Sequence, residues 1–67
     1  MSVYRVIDVI GTSESSWEEA ARTAVSTAGG SVRDLRVAEV IKQDIAISEN
    51  GDLLFRVKVQ LSFKYEG

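Results

Sequence analysis

From Leu53 to Tyr65 an apolar residue stands at every odd position and, after Leu54, a polar one at every even position. Such alternation marks a strand with one buried face, and at about 3.3 Å per residue it predicts a ribbon roughly 43 Å long. A second apolar set follows helical spacing. Trp17, Ala20, Ala21, Ala24, Val25 and Ala28 form one stripe, while Glu18, Glu19, Arg22, Thr23 and Ser26 fall elsewhere on the wheel. A helix of about 12 residues spans on the order of 18 Å, less than half of the ribbon. The uncovered half of the ribbon's apolar face is therefore expected to be buried by another copy of the chain.

The remaining elements follow from local signals. Val3 to Ile10 reads as a strand with Val3, Ile7 and Val9 on one face and Tyr4, Val6 and Ile10 on the other, both faces buried. Gly11-Thr12-Ser13 is expected to break that strand. Ser16-Trp17-Glu18-Glu19 has the spacing of a capping box, in which the Ser16 hydroxyl accepts from the Glu19 amide and the Glu19 carboxylate reaches back. The helix should begin at Trp17, carry a Glu18–Arg22 pair one turn apart, and stop at Gly29-Gly30. Ser31 to Leu35 reads as a turn or short helical piece. Arg36 to Ile47 resumes as a strand, with Val37, Ile41, Ile45 and Ile47 on one face and Ala38, Val40 and Ala46 on the other. Asn50-Gly51 then predicts a type I′ hairpin into the last strand. The order is β-α-β-β, an α+β fold in which a three-stranded antiparallel sheet wraps one helix, with residues 1–67 as a single domain.

Size and composition narrow the possibilities. A chain of 67 residues is near the lower limit for independent folding, burying only about 60% of its unfolded surface. It contains neither cysteine nor histidine, so no disulfide and no zinc site of the usual Cys/His kind can reinforce it. Association with further copies is the remaining route. The formal net charge of −2 favours neither nucleic acid nor an anionic membrane as partner. No apolar run approaches the roughly 20 residues of a membrane helix and no secretory signal opens the chain, so a cytoplasmic protein is expected.

No catalytic set emerges. Thr12 and Ser13 have no histidine to activate them, and Glu18 and Glu19 point about 100° apart on a helix, where they complement its dipole. Asp8 and Glu39 sit within strands among apolar neighbours and are expected to form interchain ion pairs with Arg5 or Arg36 rather than a metal or acid/base site. Arg56, Lys58 and Lys64 make a basic strip on the polar face of the last strand. Phe55, Phe63 and Tyr65 point the other way, so the strip lacks the interleaved aromatics that single-stranded nucleic acid needs; anion or phosphate binding is the minority reading beside a plain solvent or interface surface.

Tyr4-Arg5-Val6-Ile7, Gly11-Thr12-Ser13, the alanine-rich helix, Ala38-Glu39-Val40 and Val57 to Phe63 together resemble the dodecins over essentially the whole chain. The resemblance implies a non-enzymatic homododecameric shell that binds flavin (FMN or riboflavin) between subunits. In typical flavin-binding dodecins a tryptophan just before the residues matching Ala38-Glu39-Val40 stacks on the flavin, and a glutamine in the third strand bonds its edge. Here those positions are Val37 and Arg56. Stacking is worth about 1–3 kcal/mol per ring, so loss of the platform removes roughly one to two decades of affinity. Two readings stand side by side. In the first, the shell sequesters flavin or a related ligand with Val37 lining the pocket and Arg56 meeting a phosphate or carbonyl. In the second, a flavin-free structural shell holds cations such as calcium at acidic sites between subunits.

Overall fold

The computed structural model describes residues 2–29 and 35–64; the expected stop at Gly30, the turn over residues 31–34 and the strand end at Tyr65 lie outside them. The chain forms β1 (Tyr4–Ser13), α1 (Trp17–Gly29), β2 (Leu35–Ile47) and β3 (Leu53–Lys64). All pairing is antiparallel, in the sheet order β1-β3-β2. The β-α-β-β order and the sheet wrapped on one helix are as the pattern predicts.

Helix α1 starts where its cap says it should. The Ser16 hydroxyl accepts from the Glu19 amide at 3.1 Å. The reciprocal arm differs from expectation, because the Ser16 amide donates instead to the Ser13 hydroxyl at 3.4 Å, which also accepts from the Ser15 amide at 2.9 Å. Serine 13 thereby ties the end of β1 to the helix start. Among the described residues, Glu18 and Arg22 form no ion pair; both are exposed.

Two glycine readings change. Gly11-Thr12-Ser13 does not break β1, which runs through all three residues. Gly11 is buried, and a Cβ placed on it would stand 2.1 Å from the Ala20 carbonyl oxygen and 2.9 Å from the Ala24 methyl. This glycine lets the helix backbone approach the strand. At the hairpin, the Gly51 amide donates to the Ser48 carbonyl at 2.9 Å and the Ser48 amide to the Asp52 carbonyl at 3.0 Å. Glu49 and Asn50 are therefore the central residues of the turn, and Gly51, at φ 87°, follows it in the left-handed region. That is a three-residue hairpin loop in place of the two-residue type I′ form.

The core is the alanine stripe against the odd-numbered face of β3: Ala20, Ala24, Val57, Val59 and Leu61, with Ile7, Val9, Trp17, Val25 and Leu35 packed around them. A 13-residue helix is about 20 Å long, which matches the reach of β3 from Phe55 to Leu61. The indole of Trp17 meets Phe55 edge-on at 5.3 Å between ring centres, and the Arg5 guanidinium lies 4.6 Å from the centre of the Phe63 ring. Among the described residues, the expectation that half of β3's apolar face needs a second chain is thus overturned for all but Leu53. Central in the sheet, β3 is covered by its own helix and flanks.

The open apolar surface lies elsewhere. Helix α1 packs over β1 and β3 and meets β2 least, leaving Val40, Ile45 and Ile47 exposed, the last at 69%. The faces of β2 also differ from the alternation read in its sequence. Register shifts between Leu35 and Val37 and between Val40 and Lys42 insert extra residues that reverse side-chain parity. Ala38, Val40, Ile45 and Ile47 share the helix-side face. Val37, Glu39, Lys42, Asp44 and Ala46 lie on the far face, opposite even-numbered residues of β3. The far face of β1 is open as well: Tyr4, Val6 and Ile10 are exposed rather than buried.

Candidate functional site

The far face is built of rows that cross all three strands, each row about 7 Å from the next. Val6, Ser62 and Val37 make one; Asp8, Gln60 and Glu39 the next; then Ile10, Lys58 and Lys42; then Thr12, Arg56 and Asp44. No helix among the described residues covers this face, so polar groups on it that are not bonded to one another can meet a ligand or another chain.

Asp8 and Glu39 stand two strand spacings apart, roughly 9.6 Å, with Gln60 between them. The Gln60 side-chain amide donates to Asp8 Oδ1 at 3.4 Å. Within one chain Asp8 cannot meet Arg5, which lies on the opposite face of β1 over Phe63. The row presents carboxylate and amide oxygens, hard donors of the kind that calcium and magnesium take. Among the described residues one chain assembles no group of three or more carboxylates fit for a metal. Calcium takes 6–8 oxygens, so a site on this row requires donors from a second chain or water.

Two rows away Arg56 and Asp44 form a forked ion pair. Arg56 Nε donates to Asp44 Oδ1 and Nη2 to Oδ2, both at 2.7 Å. The hydrogen bond from Arg56 holds the Asp44 carboxyl below its ordinary pKa, against a smaller opposing effect of desolvation, with the charges of Arg56 and Lys42 adding to the lowering. The same bond raises the Arg56 pKa. Trp17 fixes the backbone here, its indole N–H donating to the Asp44 carbonyl at 3.0 Å. That contact joins the first helical turn to β2, and the sequence offered only Trp17's place on the apolar stripe as a sign of it.

Val37 is 57% exposed and sits opposite Ser62, whereas Arg56 sits opposite Asp44. Six residues of β3 separate the two rows, roughly 20 Å. One chain does not bring Val37 and Arg56 together; a pocket holding both takes them from different subunits.

A family model described as Dodecin matches residues 3–66. A protein named calcium dodecin, from Mycobacterium tuberculosis, is 56% identical over 64 residues, 96% of this chain and 90% of that protein. The crystal structure of the Mycobacterium tuberculosis calcium dodecin, described as calcium chelating with a novel calcium-binding site, superposes with a TM-score of 0.89 at 54% identity, covering 97% of this chain and 93% of that one. Dodecin from Streptomyces coelicolor gives a TM-score of 0.89 at 33% identity, over 98% of this chain and 94% of the other. The chain therefore belongs to the dodecin family of non-enzymatic, homo-oligomeric ligand-binding proteins.

Proposed function

We infer that this protein is a cytoplasmic homododecameric shell, each 67-residue chain one domain of it, that holds calcium at acidic sites between subunits. The observation that carries this reading is the row Asp8–Gln60–Glu39 on a sheet face its own helix leaves open, in a chain 56% identical to a calcium dodecin. Carboxylates on an uncovered face are accessible to a hard cation, and rotational symmetry multiplies each into a ring. Asp8, Glu39 and the Gln60 amide oxygen are the donors this chain brings. A cation shared between copies would also stabilise the assembly, since it binds the associated state and not the separate chains.

The flavin reading has less to stand on. Val37 is aliphatic and offers no ring to stack on an isoalloxazine, and within one chain it lies roughly 20 Å from Arg56 along β3. Flavin bound at Val37 and Arg56 therefore stands second to calcium.

Native mass spectrometry and calcium titration of the purified protein test the assignment. Twelve chains per particle with saturable calcium uptake is the expected result, with affinity falling at least tenfold in the Asp8→Asn/Glu39→Gln double variant. Uptake that is absent, or undiminished in that variant, would refute the assignment of these residues.

A further inference from the structure

The row Ile10–Lys58–Lys42 is the part of the far face that the cation reading leaves unused. Lys42 and Lys58 are direct cross-strand partners, and two ammonium groups on one face of an antiparallel pair repel each other. Neither forms an ion pair among the described residues. In the row on one side Asp44 is occupied by the Arg56 fork, and in the row on the other Asp8 and Glu39 form no ion pair with either lysine among the described residues. Lys42, Lys58, Asp44 and Arg56 line a cavity of about 240 Å³ whose remaining wall is Ile10. Three cationic side chains thus face one space with a single carboxylate, itself already bonded.

We propose that Lys42, Lys58 and Arg56 form an anion-binding subsite for a phosphate dianion, with Ile10 as its apolar wall and Asp44 as the residue that positions Arg56. Two of the guanidinium's five N–H donors are used by Asp44, leaving three for a ligand. The two lysines supply compact charges that suit phosphate oxygens without demanding one geometry. A dianion between Lys42 and Lys58 turns their mutual repulsion into two attractions. Ile10, 62% exposed, gives an organic group on the phosphate something to lie against, so a phosphate monoester and free phosphate would both be taken. This subsite does not depend on calcium, and the acidic row lies on the opposite side of the lysines from Arg56.

The test is titration of the intact assembly with inorganic phosphate and with phenyl phosphate, by calorimetry in low-salt buffer containing a calcium chelator. Saturable binding of either, weakened at least tenfold by Lys42→Gln and by Lys58→Gln, is the expected result. Tighter binding of phenyl phosphate, lost on Ile10→Ser, assigns the site to monoesters; equal or tighter binding of inorganic phosphate assigns it to the free anion. Absence of saturable binding, or binding unchanged in a Lys42→Gln/Lys58→Gln variant that light scattering shows to be assembled, overturns the proposal. Calcium uptake is measured on the same variants, so failure of the cation reading and of this one are separable.

Discussion

At the scale of single residues, two glycines with similar-looking surroundings in the sequence do different work. Gly51 is needed for its backbone: at φ 87° with open space around it, an alanine would fit but pay roughly 1–2 kcal/mol for the left-handed conformation. Gly11 is needed for its missing side chain, because the Ala20 carbonyl occupies the place of a Cβ. Gly11→Ala must push α1 off β1 and open the thin alanine core, and is expected to destabilise by about 1–3 kcal/mol. Chemical denaturation compared with Gly51→Ala checks this. A smaller loss for Gly11→Ala than for Gly51→Ala would contradict the close approach. The sequence shows a glycine beside two small polar residues in both places, and nothing local distinguishes a turn from a contact with a helix nine residues later.

At the scale of elements, β2 departs furthest from its sequence pattern. Its apolar residues alternate well enough to suggest two regular faces, yet the register shift near Ile41 moves Ile45 and Ile47 to the face opposite Val37. A bulge leaves no mark in apolar spacing, since it is chosen by how β2 twists against β3. Its consequence is chemical: Lys42 and Asp44 come to face Lys58 and Arg56 rather than the helix. The Asp44–Arg56 fork then links the hairpin strands, and its pH dependence has a definite sign. Because the folded carboxyl is held below its ordinary value of 3.8, the pair's contribution is present in full above that value and is lost as pH falls through the lower folded pKa. Wild type should exceed Asp44→Asn in stability by a constant margin from neutral pH down to about 5, and the margin should shrink below 3.8. The pair is solvent-exposed, with side chains 45% and 33% accessible, so the margin is small and salt-sensitive. Denaturant midpoints across pH for the two proteins check it, and a margin growing toward acid would reverse the assignment.

At the scale of the whole molecule, the chain is unfinished as a monomer. It measures 51 × 19 × 15 Å and exposes 5024 Å², whereas a compact monomer of 7.3 kDa exposes roughly 4,200 Å². The surplus is close to one partner's share of an ordinary interface, about 800 Å². Much of it is apolar and lies on β2: Val40, Ile41, Ile45 and Ile47 are all exposed in one chain. A charge in the middle of that surface is expected to dissociate the assembly while leaving the core of Ala20, Ala24, Val57, Val59 and Leu61 untouched. Val40→Asp and Ile47→Asp should each shift the particle mass in light scattering from the assembled value toward that of smaller species. A variant carrying both that still runs at full size would show that β2 is not the interface.

What the linear chain determined by itself is local and periodic: the helix from its capping serine and alanine stripe, the strands from alternation, the hairpin from Asn50-Gly51, and the need for partner chains from small size without cysteine. Those signals lie within a few residues of the structures they specify, so neighbours in sequence carry them. Only the tertiary structure decided that β3 is central and self-covered, that β2 is the edge strand the helix covers least, and that Asp8, Gln60 and Glu39 form one row beside Lys58 and Lys42. Each of these depends on which strands pair and in what register, and that is set by contacts between residues as far apart as Asp8 and Gln60, whose spacing along the chain holds no record of it.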